Sequence, residues 1–164
     1  MIAKVLGAVA LSVALMATPA FAQQKISLTV AAGQPPAALP SLALVNSFFI
    51  PEVNKRIKVA KIDFTIDWKE AYAGSLLKPY QMLDGIKDGI ADIGFMPTIF
   101  FPDKLPLENI TLAAPFLTTD IVLLSRVMNK LHDTLPAFTQ QYDKFNLLRL
   151  GGTGADSFEL LTTF

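Results

Sequence analysis

"DGIKDGIADIGFMPTIFF", residues 84–101, reads as a helix that stops at a glycine and turns straight into a short apolar strand. Pro79 opens the helix, Gly89 closes it, and Ile90 to Met96 follows as strand. The strand runs out into Met96-Pro97-Thr98, with Phe100 and Phe101 close behind. A proline and a hydroxyl at the end of a buried strand suit one wall of a ligand cleft better than an ordinary polar turn.

Working outward, Ile26 to Ala32 is β-branched enough for a buried strand and is stopped by Gly33-Gln34-Pro35-Pro36. From Ser41, Leu42, Val45, Phe49, Val53 and Ile57 recur every three or four residues, one face of a helix that Pro51 should kink or divide. Ala60, Ile62, Phe64, Ile66 and Trp68 alternate with Lys61, Asp63, Thr65, Asp67 and Lys69, the pattern of a strand with one face on a core.

Beyond Met96 a long loop carries prolines at 97, 102, 106 and 115. Thr119-Asp120 then starts a helix with Ile121, Leu124, Met128 and Leu131 on one stripe, and Thr134 is expected to cap a shorter helix through Lys144. Leu147 to Leu150 reads as strand, Gly151 to Gly154 as a turn, and Phe158 to Phe164 as another strand. Strands alternating with helices imply an α/β fold with a largely parallel sheet flanked by helices. Such sheets bind ligands beyond the carboxyl ends of their strands. Three of these ends carry unusual residues: Gly33-Gln34-Pro35, Asp67-Trp68 and Met96-Pro97-Thr98.

The first 22 residues read as a secretory signal peptide, not as part of the fold. Lys4 is its positive end, Val5 to Ala17 its apolar stretch, and Thr18-Pro19-Ala20-Phe21-Ala22 its cleavage region, with cleavage expected before Gln23. The apolar stretch is shorter than the ~20 residues a spanning helix needs, so no membrane insertion is expected after cleavage. Loss of Lys4 takes the formal charge from 0 to −1, too little positive charge for a nucleic-acid partner and too little charge for disorder. The chain contains no cysteine, so an exported domain must be held by its core alone, and no lipid-modified cysteine can anchor it. A bacterial periplasm fits best.

The sequence offers no catalytic constellation and no cofactor motif. His132, the one histidine, stands beside Asp133 at a helix end and is expected to be solvated there. "GGTGAD", residues 151–156, lacks the Lys-Ser/Thr of a phosphate cradle and reads as a tight turn. Residues suited to binding are easier to find. Trp68, Tyr72 and Tyr80 can stack on a ligand, Glu70 can make a polar contact, and Thr98 and Gln34 offer a hydroxyl and an amide beside Pro35 and Met96.

The stretch "AYAGSLLKPYQMLDGIKDGIADIGFMPTIFFPDKLPLENITLAAPF", residues 71–116, resembles the periplasmic solute-binding subunit of tripartite ATP-independent periplasmic (TRAP) transporters, of the dicarboxylate-binding type. Gly74-Ser75-Leu76 precedes the helix, Asp88-Gly89-Ile90-Ala91-Asp92-Ile93-Gly94 ends it, and Ala114-Pro115-Phe116 closes the proline loop. The resemblance extends more weakly from Ile26 to Phe164. It implies a two-lobed fold of the periplasmic-binding-protein kind that closes on a small organic acid and delivers it to membrane permease subunits, without ATP and without catalysis. Relatives run to about twice this length, a two-domain size. Residues 23–164 are therefore expected to be the N-terminal lobe, with the second lobe mostly absent.

One departure bears on the ligand. Where many relatives carry an arginine for the ligand carboxylate, "DSFELLTTF", residues 156–164, has Phe158. A monoacid with a bulkier apolar part suits Phe158, Trp68 and Met96 better than a simple dicarboxylate. The rival expectations are the binding protein of an ATP-driven importer and an exported enzyme on the same scaffold.

Overall fold

The protein is seen here as a computed structural model, which describes residues 24–113 and 118–152. Strand β1, Gln24–Ala32, is the central strand. The chain then passes through a short 3-10 turn, Pro40–Leu42, and a π-helical turn, Val45–Phe49, into helix α1, Ile50–Val59. Pro51 divides the helical face as expected. It follows directly on the π turn, in which Ile50 N–H donates to the Val45 carbonyl, so the helical chain widens just before the residue that has no N–H to give.

Strand β2, Phe64–Ala71, starts four residues later than the alternation predicts and runs past Trp68. The cause is the end of α1. Lys61 takes a left-handed φ of 53°, Lys61 N–H bonds to the Lys58 carbonyl, and Ile62 N–H reaches back to Ile57. These are the two bonds of a Schellman cap, closed here without glycine. Ala60, Lys61 and Ile62 therefore belong to the helix end and lie exposed.

After a 3-10 turn at Pro79–Gln81, helix α2, Met82–Lys87, ends in the same motif around Gly89, whose φ is 74°. Gly89 N–H bonds to Ile86 and Ile90 N–H to Gly85. Strand β3 is only Ile93–Phe95, because Ile90 completes the cap and Asp92 does other work. Its backbone N–H donates to the Thr29 carbonyl at 3.1 Å, while its carboxylate accepts from Thr29 N–H at 2.7 Å. Gly94 lets α2 sit close on β3, since a Cβ there would run into the Ile86 side chain.

The proline-rich stretch is folded rather than open loop. Thr98–Phe100 and Pro106–Asn109 are 3-10 turns, and the latter leads into α3, Ile110–Ala113. The Asn109 side chain donates to the carbonyls of Thr98 and Leu105, both at 3.0 Å. Helix α4, Ile121–Thr134, is capped by Asp120, whose carboxylate accepts from the N–H groups of Val122 and Leu123. Its buried stripe is Leu124, Met128 and His132, while Ile121 is exposed.

Thr134 caps nothing. It is the last residue of α4 and bonds back to the Lys130 carbonyl, and α5, Pro136–Asp143, begins behind Leu135. The strand expected at Leu147–Leu150 is not formed; these residues take no regular structure, with Leu148 84% and Leu150 65% exposed. The turn and strand expected over residues 153–164 lie outside the described residues.

Among the described residues the sheet has three strands in the order β2-β1-β3, all parallel. Gln24–Ala31 pairs with Phe64–Ala71, and Val30–Ala32 with Ile93–Phe95. Both faces are covered, as a parallel sheet requires. On one side Val30, Ala32, Leu42 and Val45 form a core with Trp68 and Tyr72; on the other, Ala31, Leu77, Met82, Leu83, Phe101 and Leu105 pack with Met96 and Tyr142.

Leu83 is fully buried and Leu44 is 58% exposed, which sets a test of this layering. Leu83→Ala should cost ~2–5 kcal/mol of unfolding free energy, while Leu44→Ala stays within about 0.5 kcal/mol. Urea unfolding followed by circular dichroism measures both.

Candidate functional site

A sheet ordered β2-β1-β3 reverses direction between β1 and β3, and the crevice beyond the carboxyl ends of those two strands is where such folds hold ligands. The strand tips are brought together there by register: Ala31, Ala71 and Gly94 lie side by side, and the chain leaves the sheet at Gly33, Tyr72 and Met96. Two further bonds fasten the tips of β1 and β2, from Ala73 N–H to the Gln34 carbonyl at 3.1 Å and from Gly74 N–H to the Ala32 carbonyl at 3.3 Å.

Gln34 is half-buried, and its side-chain oxygen Oε1 is sealed from solvent without a hydrogen-bond partner. The Tyr72 hydroxyl on the neighbouring tip is sealed from solvent as well, with the Glu70 carboxylate within hydrogen-bonding reach. Burial, with the Glu70 carboxylate nearby, pushes the Tyr72 phenol up to about 12, so it stays protonated at any ordinary pH. An unpaired buried polar atom costs on the order of 1–3 kcal/mol. Gln34 Oε1 is such a liability unless something else bonds to it.

The other expected site residues divide. Pro35 is exposed at the β1 tip, its carbonyl accepting from Ala38 and Leu39 N–H. Thr98 opens the turn after β3, and Met96 is half-buried beside it. Met96 packs with the α2 side of the sheet, whereas Trp68 and Tyr72 pack with the α1 side. Trp68 is not at a strand end. It pairs in register with Leu28, meets Phe49 edge-on at 5.9 Å, and donates Nε1–H to Asn54 at 3.2 Å under α1. The Glu70 carboxylate accepts from the Asn46 side chain at 2.9 Å. Phe158 lies outside the described residues.

Three features of the strand ends were not in the sequence reading. Ala73 and Gly74 both take left-handed φ values, 57° and 68°, which for alanine is a strained choice. Lys78 lies over Gly74, with Cδ 3.0 Å and Nζ 3.3 Å from where a Cβ on Gly74 would stand. Tyr80, 69% exposed, meets Phe100 at 4.8 Å and joins the start of the α2 segment to the turn after β3. Gly74 and Lys78 do stand on either side of the Gly-x-Leu segment, but spacing alone does not put a side chain over a backbone.

His132 corrects a plain expectation. It is 8% exposed, not solvated, and belongs to a buried charged cluster. Its Nε2 abuts the Glu108 carboxylate, Arg149 Nε stands 3.7 Å from the same oxygen, and Gln141 Nε2 donates to it at 3.4 Å. Phe138 and Tyr142 border the imidazole at 5.1 and 6.2 Å between ring centres. Burial pushes the imidazole below its usual range, against the pull of Glu108 and with the help of Arg149. A cleft of about 390 Å³ beside it is lined by Asn129, His132, Tyr142 and residues 147–151. The cluster ties α4, α5, Pro106–Asn109 and the Arg149 segment into one unit. Among the described residues no group of three or more His, Asp or Glu side chains is placed to hold a metal ion.

The chain is similar in structure to DctP7, a Bordetella pertussis extracytoplasmic solute receptor binding pyroglutamic acid, with a TM-score of 0.51 at 23% identity. The match covers 73% of this chain and 36% of that one, so the chain spans well under two thirds of the receptor's length. The likeness is one of fold: a parallel sheet flanked by helices, part of a periplasmic-binding-protein-like lobe. No family model and no curated protein matches the chain. No helix of the described residues is long and apolar enough to cross a membrane.

The buried histidine gives a pH test. Its folded pKa is lowered, while in the unfolded chain it returns to about 6.5. Below that value the unfolded chain binds the extra proton first, so acidification destabilises the fold until the folded pKa is also passed. The groups facing His132 are Glu108, Arg149, Tyr142 and, on its own helix, Asp133. The melting temperature of the wild type relative to His132→Gln should therefore fall between about pH 7.5 and pH 5.5. A difference that does not change with pH over that range would show that His132 is not the source.

Proposed function

We propose that the chain is the first lobe of an extracytoplasmic solute receptor of the TRAP type, which captures a small organic acid and passes it to membrane permease subunits. The observation that carries this reading is the fastening together of the β1 and β2 tips beside the point where the sheet reverses, with Gln34 Oε1 buried there and unpartnered. A bound solute would give that atom a partner. The fold likeness to a solute receptor supports the same reading, and that receptor's ligand, pyroglutamic acid, is a monoacid of the kind proposed here.

On this reading residues 1–22 are a signal peptide removed on export, and residues 23–164 act in the periplasm. Gln34, Pro35, Tyr72, Met96 and Thr98 form the lobe's half of the cleft, and Phe158 belongs to it through the family resemblance. Trp68 and Glu70 support it from below, through α1 and Asn46. A second lobe closes over the acid, which is held and released unchanged. On this reading the amide of Gln34, the phenol of Tyr72 and the hydroxyl of Thr98 orient the solute by hydrogen bonds.

A ligand that binds only the folded form raises its melting temperature. At ~100 times its dissociation constant a bound acid contributes ~2.7 kcal/mol, a rise of roughly 5–10 °C for a protein of this size or somewhat larger. Thermal-shift measurement of the full-length receptor against small organic acids should find such a ligand, and Tyr72→Phe should reduce its effect. If no acid shifts the transition, the receptor reading falls.

A further inference from the structure

We propose that residues 147–152 are an acid-released latch: a proton on His132 takes Glu108 from Arg149 and lets that segment leave α4. The inference is independent of the solute and of the strand ends.

The latch is held by polar bonds. Residues 147–152 take no regular structure, Leu148 and Leu150 are exposed, and only Leu147 packs partly into the core. Arg149 does most of the holding. Its side chain is 13% exposed, its Nε stands 3.7 Å from Glu108 Oε1, and a terminal nitrogen donates to Asn129 Oδ1 at 3.0 Å. Asn129 in turn donates to the Gly152 carbonyl at 3.4 Å, and Leu147 N–H donates to the Tyr142 carbonyl at 3.2 Å.

The carboxylate that receives Arg149 already has other claimants. Glu108 Oε1 also faces His132 Nε2, and Gln141 donates to it at 3.4 Å. With a neutral imidazole the cluster sums to zero, one acid against one guanidinium. A second cation on the same buried oxygen leaves a net positive charge, which an interior tolerates poorly. The extra proton also falls to Nδ1, which is sealed from solvent without a partner. The other groups facing the ring give no relief. Tyr142 of α5 stays protonated, Asp133 is exposed on α4, and Asp143 lines the cleft from the exposed side of α5.

Two cations cannot share that oxygen, and anchorage settles which one goes. His132 is fixed on α4, bordered by Phe138 and Tyr142. Arg149 rides on an irregular segment beside the cleft of about 390 Å³, which gives its guanidinium a way to water. Burial lowers the imidazole pKa and Arg149 lowers it further, so departure of Arg149 makes the proton easier to hold. The released state therefore binds the proton more tightly, and acid favours it.

The chain has no cysteine, so Leu148→Cys in the full chain carries a single nitroxide at an exposed position. Its paramagnetic resonance spectrum should be mostly slow at about pH 7.5. Below about pH 6.5 the ratio of fast to slow component should rise, up to about tenfold per pH unit. His132→Gln, which gains no proton, should keep the slow spectrum throughout, and Arg149→Ala should be fast at every pH. A nitroxide at Val122→Cys, in the first turn of α4, should not respond. Far-UV circular dichroism should stay constant over the same range, which separates release from unfolding. A ratio that ignores pH in the labelled chain, or that still rises in a folded His132→Gln, overturns the latch. Loss of helix signal in step with the label overturns it too. Where His132→Gln does not fold, Arg149→Ala decides: a slow or pH-dependent spectrum there sinks the proposal.

Discussion

Asp92 gives Thr29 both halves of a ladder pair, one from its backbone and one from its carboxylate. Strand β3 needs that help, because three residues make too short a strand to hold its own register. The turn that delivers Asp92 is equally constrained. Gly89 must be left-handed to close α2, and Ile90, which completes the cap, and Ala91 behind it bring the chain back against β1. With β3 pinned beside β1 rather than beyond β2, the sheet reverses its order between β1 and β3.

The same register divides the strand ends between two layers. Tyr72 descends into the core under the π turn and α1, while Met96 joins the core under α2. Between them the backbone of Gly33, Gln34, Ala73 and Gly74 forms the rim. It is an unusual rim, with two left-handed residues in a row and a buried amide oxygen, Gln34 Oε1, without a partner.

The alternation and the three-and-four spacing made the class of the fold and most of its helices legible, because burial repeats with the geometry of the element. The start of β2 was misplaced because α1 ends in a Schellman cap closed by Lys61, a residue that does not announce a left-handed turn as Gly89 does. So β2 was expected to begin at Ala60, and the alternation of its first residues was that of a helix end. Leu147 to Leu150 has strand composition, yet Arg149 turns inward to Asn129 and Glu108 while both flanking leucines stay exposed. His132 was misjudged because its partners come from residues 108, 141 and 149, and no local pattern links positions so far apart. At the strand ends, Gln34 and Tyr72 were visible as polar residues; the packing of Lys78 over Gly74 was not, since it depends on what Gly74 lacks.

Trp68 is the chain's single tryptophan, and it is locked against Phe49 and Asn54 beneath α1, well below the strand ends. Its intrinsic fluorescence therefore reports how tightly that helix sits on the sheet, not whether the crevice is filled. A solute bound at the rim would leave the emission almost silent unless closure pulled on α1, so any quenching or colour shift seen on titration would be a signal of helix movement transmitted through the sheet.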